Sequence, residues 1–244
     1  MQRPEIIFED KDIIVCNKPA GMATQTKRLG QQDMESFLKN YRASKKEEPY
    51  IGVVHRLDQP VEGVMVFAKN PKAATALSKQ VQQRIIGKHY YAVCTKKAHE
   101  QLQLHKQEQI QPQEQTEELS LGNTGTLTDY ILTDKKNNIS KVVWPEDANK
   151  NPQAKMAVLD YKVIKQEQDK IVFDITLHTG RQHQIRLQLS NMGYPIIGDK
   201  KYGGIANDKL MLCSYRIEFE HPVNGAKMDY KIDSRFLDNL GILA

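Results

Sequence analysis

The stretch IVFDITLHTGRQHQIRLQLSNMG, Ile171 to Gly193, changes its hydrophobic period partway along. Ile171, Phe173, Ile175 and Leu177 alternate with other residues, the period-two pattern of a strand with one buried face. Beyond Thr179-Gly180 the apolar residues fall at Ile185, Leu189 and Met192, which is helical spacing, and Gly193 is placed to end the turn. A strand therefore runs through a short polar loop into a short helix. The loop and first helical turn carry Arg181 and Arg186.

Working outward from this unit, strands dominate. AVLDYKVIKQ, KVVW and GTLTDYILTD read as strands on its N-terminal side, and NKNPQAK as a loop among them. LMLCSYRIEF alternates Met211, Cys213, Tyr215, Ile217 and Phe219 on its C-terminal side. Further upstream, Ile6–Phe8 and Ile13–Asn17 form two strands around an Asp-Lys-Asp turn, followed by a Pro19-Ala-Gly loop. DMESFLKNY places Met34, Phe37, Leu38 and Tyr41 on one helical face, with Asp33 as its cap. Val53 and Val54 mark a strand, VMVFAK another, and KHYYAVCT a third. Between the last two, Asn70-Pro71 opens a helix whose apolar face runs Ala74, Leu77, Val81 and Ile85, with Gly87 as its stop. Many strands, few helices and no regular βαβ rhythm predict an α+β fold built on a mixed, mostly antiparallel sheet.

Bulk properties narrow the function classes. The chain has 244 residues, 39% of them hydrophobic and 27% charged, enough for a sizeable core in one large domain or two small ones. Its apolar runs are of strand length, and MQRPEIIFEDKD carries acids where a signal peptide has its apolar core. A cytoplasmic protein with no membrane span is expected. Cys16, Cys94 and Cys213 are far apart and odd in number, so reduced, mostly buried thiols are expected rather than a disulfide framework. No metal site is expected, because His178 and His183 stand five apart rather than four. The net charge of +5 is unevenly spread: Lys69 to Lys97 holds seven Lys or Arg and no acid, while Ala98 to Glu118 holds five Glu against one Lys. Such a basic block is ordinarily a solvated face, and it is also what a polyanion releases counterions to meet. Residues 98–123, rich in Gln and Glu, read as an insertion without periodicity.

Three stretches could carry chemistry. HRLDQPVEGVMVFAK, His55 to Lys69, sets Asp58 beside Arg56 at a bend between two apolar strands. An aspartate there is ordinarily a turn former or an ion-pair partner, and the kinase-like look of HRLD fails for want of a Gly-rich loop and a DFG. In LHTGRQHQIRLQLSNMGYPIIGDKKYGG, Leu177 to Gly204, a helix N-terminus behind Thr179-Gly180 could face an anion, and a nearby arginine could keep a buried carboxylate ionised and oriented. The plain alternative is a surface helix with solvated arginines. In GKHYYAV, Tyr90 and Tyr91 point to opposite faces of a strand; one could stack on a base, though core packing is the ordinary fate of each.

Taken together, HRLD ahead of Gly63, GKHYYAV, and GRQHQIRLQLSNMGYPIIGDKKYG resemble the RluA-type pseudouridine synthases. FEDKDIIVCNKPAGM and LMLCSYRIEFEHP resemble core segments of the same family, so the resemblance runs in order from about Ile6 to Pro222. It implies a pseudouridine-synthase fold and a single catalytic domain over residues 1–244 that carries the 98–123 insertion. It implies Asp58 as the catalytic carboxylate and Tyr90 as the active-site tyrosine. Arg186 would be the arginine paired with the aspartate, with Arg181 a second candidate, and Arg56 would fill the place of the flipped-out uridine. No metal and no organic cofactor are implied. The substrate would be structured RNA, ribosomal or transfer, and the enzyme a monomer.

The implied reaction breaks the N1–C1′ bond of uridine, turns the base over and rejoins it through C5. The carboxylate either adds as a nucleophile or takes a proton to give a glycal. Extruding the base from its stack costs a few kcal/mol, which basic residues and an arginine wedge would offset. The sequence departs from the family pattern in one place: Gln59-Pro60-Val61-Glu62-Gly63 stands where Thr-Ser usually precedes the glycine. The pattern begins almost at residue 6, so no S4-type RNA-binding domain is expected ahead of it. The alternative from another class is an inactive RNA-binding or ribosome-assembly relative that kept the fold; a hydrolytic glycosidase is the third.

Overall fold

The computed structural model describes residues 3–28, 30–96 and 119–233. Most of the Gln/Glu-rich insertion expected at 98–123 lies outside the described residues. By compactness the chain forms two units, one of residues 1–89 with 213–244 and the other of residues 90–212. The fold is α+β on a mixed sheet, and most of its strand pairs are antiparallel.

In the first unit, β1 (Glu5–Glu9) and β2 (Ile13–Lys18) form a hairpin. Asp10 Oδ1 closes its turn by accepting from the N–H groups of Asp12 and Ile13. Helix α1 (Met34–Ser44) starts at Asp33, whose carboxylate accepts from Ser36 N–H while the Ser36 hydroxyl accepts from Asp33 N–H, a reciprocal cap. The short β3 (Gly52–Val53) leads through a loop to β4 (Glu62–Ala68), which pairs antiparallel with β2.

Helix α2 (Pro71–Gln82) begins where Asn70 and Pro71 predict it. It stops earlier than expected, because Arg84 adopts φ +59°, a left-handed conformation that breaks the helical path. Ile85 is consequently 43% exposed rather than on the buried face, and Gly87 opens the next strand instead of ending the helix. The strands β2 and β4 bury Ile13, Val15, Val64 and Val66 against Ala73 and Leu77 of α2. Each such Ile, Val or Leu side chain contributes about 1.5–3 kcal/mol of burial. The near-continuous apolar run of β4 reflects burial on both of its faces.

The chain passes to the second unit within β5 (Gly87–Thr95) and returns at the start of β10 (Leu212–Glu220), which pairs with β11 (Lys227–Lys231) and runs parallel to β4. Gly63 is indispensable at that parallel contact. Its φ is +148°, and a Cβ there would lie 2.4 Å from Ser214 O.

The second unit orders its strands β5-β9-β8-β6-β7. They are β6 (Thr124–Asp134), β7 (Ile139–Val143), β8 (Lys155–Glu167) and β9 (Lys170–Leu177), joined antiparallel from β7 to β9. The alternation predicted for Ile171, Phe173, Ile175 and Leu177 is present, and all four are buried. A short helix, α3 (Pro145–Lys150), fills the gap between the strand KVVW and the loop NKNPQAK and takes in the first two residues of that loop. Its signals were Pro145 at the first position and Glu146-Asp147 in the first turn, spread over too few residues to show a period. Helix α4 (Gln184–Met192) ends at Gly193, φ +97°, as its sequence predicts. Among the described residues no helix is long and apolar enough to cross a membrane. Cys16, Cys94 and Cys213 are buried thiols.

Candidate active site

Asp58 lies in the loop between β3 and β4 of the first unit, half-buried, with Arg56 exposed and Leu57 buried beside it. The backbone is held on both sides of the carboxylate. Ahead of it, the Thr24 hydroxyl accepts from Leu57 N–H at 3.2 Å and donates to Leu57 O at 3.0 Å. Behind it, Gln59 O accepts from Gly21 N–H at 2.8 Å, and the Gln59 amide donates to Gly21 O at 3.0 Å. Val61 N–H returns to Asp58 O at 3.0 Å and closes the bend expected at Gln59-Pro60. The Pro19-Ala-Gly loop thus works as a clamp on the Asp58 turn.

Lys18 completes the clamp. Its side chain is wholly buried, and Nζ donates to the carbonyls of Met22 at 2.7 Å, Pro19 at 3.0 Å and Gln59 at 3.2 Å. Burial pushes its pKa down to about 7, while the charges of Asp58 and Glu62 work in the opposite direction. Glu62, which departs from the family pattern, therefore adds negative charge around a buried ammonium. The sequence reading did not single out Lys18; its only signal was its place in the NKPAG string. His55, at the start of the loop, accepts from Val66 N–H at 3.1 Å through Nε2. Burial, and then the charge of Lys88, push its pKa down to about 3, which keeps the acceptor neutral.

In the second unit Tyr90 is 5% exposed and Tyr91 half-buried, the alternation expected of β5. The TGRQHQIR string caps itself. Gln184 Oε1 accepts from the Thr179 hydroxyl at 2.8 Å and from Arg181 N–H at 3.1 Å, while Gln184 Nε2 donates to Val158 O and to Gln188 Oε1. The helix start read as an anion site is thus lined by the chain's own amide. Arg181 donates from Nε to Met156 O at 3.0 Å, across to β8.

Arg186 is 5% exposed and forks onto Asp199, from Nε to Oδ2 at 2.7 Å and from Nη2 to Oδ1 at 2.8 Å. Asp199 Oδ1 also accepts from the N–H groups of Lys201 and Tyr202. Burial alone would raise the Asp199 pKa, but the hydrogen bonds and charge of Arg186, with those N–H groups, hold it below the usual range. This bidentate pair fixes the guanidinium as a point charge cannot. Asp199 was legible only as the second residue of the Gly-Asp in the long motif. Of the residues expected to act, Arg56 and Asp58 belong to the first unit, and Tyr90, Arg181 and Arg186 to the second.

Asp10, Asp12 and His221 offer donor atoms within 4.8 Å of one another, and Asp12 Oδ2 is buried with no hydrogen-bond partner. His221 Nδ1 accepts from the N–H groups of Val223 and Asn224, which leaves the proton on Nε2, 2.8 Å from Asp10 Oδ2. A proton then stands where a cation would need a lone pair, so the cluster serves to tie two hairpin turns together.

Residues 12–191 match the family model described as RNA pseudouridylate synthase. Over 92% of its length the chain is 28% identical to the ribosomal large subunit pseudouridine synthase D of Vibrio cholerae, and it spans 65% of that relative's length. It is 31% identical over 89% of its length to the dual-specificity RNA pseudouridine synthase RluA of Vibrio vulnificus, spanning 78% of that protein. The structure of the human RNA pseudouridylate synthase domain containing 4 superposes with a TM-score of 0.71 at 21% identity, covering 98% of this chain and 92% of the human one. That likeness concerns the fold.

Proposed function

The chain belongs to the RNA pseudouridylate synthase family, and from that premise we propose that it isomerises uridine to pseudouridine in structured RNA, with Asp58 as the catalytic carboxylate. The observation that carries the reading is the clamp around Asp58. Thr24, Gly21 and Lys18 hold the peptide groups on either side of it, leaving the carboxylate on a backbone that need not reorganise during reaction. A nucleophilic or basic carboxylate requires that preorganisation; a simple turn former does not. Arg56, exposed next to it, suits the space a flipped nucleotide leaves. Tyr90, Arg181 and Arg186 are assigned to substrate binding on the resemblance of their stretches. No redox cofactor is needed, since uridine is isomerised without a change of oxidation state, and the family resemblance implies neither a metal nor an organic cofactor.

Ribosomal or transfer RNA is the proposed substrate, in keeping with relatives named for the ribosomal large subunit and for dual RNA specificity. The whole chain would act as one catalytic domain, as a monomer in the cytoplasm. The test is to incubate unmodified ribosomal and transfer RNA with the protein, digest to nucleosides and separate them by chromatography with mass detection. A new nucleoside of uridine's mass at the pseudouridine position is expected, without free uracil. RNA binding with no such product from either RNA would replace the enzyme by the binding-protein reading, and free uracil would indicate hydrolysis.

A further inference from the structure

Tyr202, eight percent exposed, has partners on β7, on α4 and its cap, and at Asp199. Its hydroxyl accepts from Ser140 N–H of β7 at 2.9 Å and lies 2.8 Å from His183 Nδ1. That second contact is a hydrogen bond whose donor follows the His183 tautomer. Burial pushes the Tyr202 pKa up, which keeps its hydroxyl protonated. Its backbone N–H donates to Asp199 Oδ1 at 3.2 Å, and its carbonyl accepts from the Ser190 hydroxyl of α4 at 2.7 Å. Its ring stands 5.3 Å from the Arg186 guanidinium carbon and meets the His183 ring edge-on at 5.6 Å. The ring also joins the apolar cluster of Ile131, Ala157 and Leu187.

Geometry gives these contacts a common purpose. The fork to Asp199 holds the guanidinium along one edge, and the Tyr202 ring adds a contact of another kind, cation to π-system, 5.3 Å from the guanidinium carbon. The stem starts from α4, whose cap residue His183 sits at φ +56°, a conformation that a non-glycine side chain adopts only when its surroundings hold it there. The Tyr202 hydroxyl is one of the groups holding it. We propose that Tyr202 is a positioning residue for Arg186, setting both the plane in which Asp199 holds the guanidinium and the cap of the helix that carries it. The functional side of this inference rests on the expectation, from the family resemblance, that Arg186 pairs with the catalytic aspartate; the positional side does not.

The experiment follows the Arg186 Nε–H group by nitrogen-15 NMR in the full chain, with the signal assigned by its disappearance in Arg186→Lys. Its proton exchange with solvent is expected to rise about tenfold or more in Tyr202→Leu, which loses ring and hydroxyl, and about threefold to fivefold in Tyr202→Phe. Exchange within twofold of the unaltered protein in Tyr202→Leu overturns the proposal. If Tyr202→Leu does not fold, Tyr202→Phe decides by the same criterion. Turnover is measured alongside: kcat should fall as the exchange rate rises, while the KM for RNA stays within twofold. Faster exchange with unchanged kcat leaves the positioning role standing and removes Arg186 from the reaction. A purely structural tyrosine would lower the melting temperature and move neither the exchange rate nor the kcat of the folded fraction.

Discussion

Lys18 in the first unit and Arg186 in the second are both cations taken out of water, yet their surroundings differ in kind. Lys18 Nζ is held by three carbonyl oxygens, which are neutral dipoles, and the carboxylates that act on it do so through space. Arg186 is held by a buried carboxylate in a two-point fork. An ammonium can shed its proton when solvation fails, and Lys18 accordingly titrates near neutrality. A guanidinium cannot, so its charge must be balanced permanently by Asp199. The Asp58 loop is thus tied by a cation that can switch off, and α4 by one that cannot.

The largest effect should come from removing the permanent balance. Asp199→Ala takes the two-point carboxylate fork away from a buried Arg186 charge, with a loss of about 3–5 kcal/mol in a denaturant titration. Replacing both partners by apolar residues of similar volume, Arg186→Met with Asp199→Leu, should recover most of that loss, since an apolar pair carries no desolvation penalty. If the single variant costs under about 1 kcal/mol, the two cations are not held differently and the contrast fails.

The switchable cation has a pH signature. The folded-state pKa of Lys18, about 7, lies below its value in the unfolded chain, so between the two the unfolded state binds more protons. Stability should therefore rise as pH increases from 7 towards 10, by at most about 1.4 kcal/mol per pH unit. The full burial cost is present below pH 7. Lys18→Met should flatten that rise, whereas Arg186 contributes no slope there. A curve as steep in Lys18→Met as in the parent protein would place the titration elsewhere.

A smaller effect separates the clamp from the carboxylate it serves. Thr24→Val keeps the shape of the side chain but leaves Leu57 N–H and C=O without the hydroxyl that serves both, at a cost of about 1–2 kcal/mol. Turnover should fall about tenfold with RNA affinity nearly unchanged, because the Asp58 backbone loses its hold on the Leu57 side. Affinity lost in proportion to turnover would mean that Thr24 shapes the RNA surface instead.

The same contrast shows what the sequence could and could not convey. Local periodicity carried β9 and α4, because four alternating apolar residues and an i, i+4, i+7 set need no distant partner to be read. The cap at Asp33 and the start of α2 at Asn70-Pro71 were legible for the same reason. The end of α2 was not: Ile85 fits the helical period, and only the left-handed Arg84 removes it from the buried face. Helix α3 is too short to show a period at all. Among the candidate residues, Asp58 stood out by its neighbours and Arg186 through the motif that carries the family resemblance. Their supports did not, since Lys18 reaches Gln59 across 41 positions and Arg186 reaches Asp199 across 13. A buried lysine in a string that reads as strand and loop looks ordinary until the carbonyls that receive it are known.

Whether Asp58 carries the chemistry is decided by release of tritium from C5-labelled uridine in unmodified ribosomal and transfer RNA. Carbon C5 must lose its hydrogen when it becomes the glycosidic atom, so each isomerisation frees one label. Steady release by the unaltered protein is expected and none above background by Asp58→Asn, with both binding the RNA equally. Release by Asp58→Asn at the rate of the unaltered protein would contradict that role.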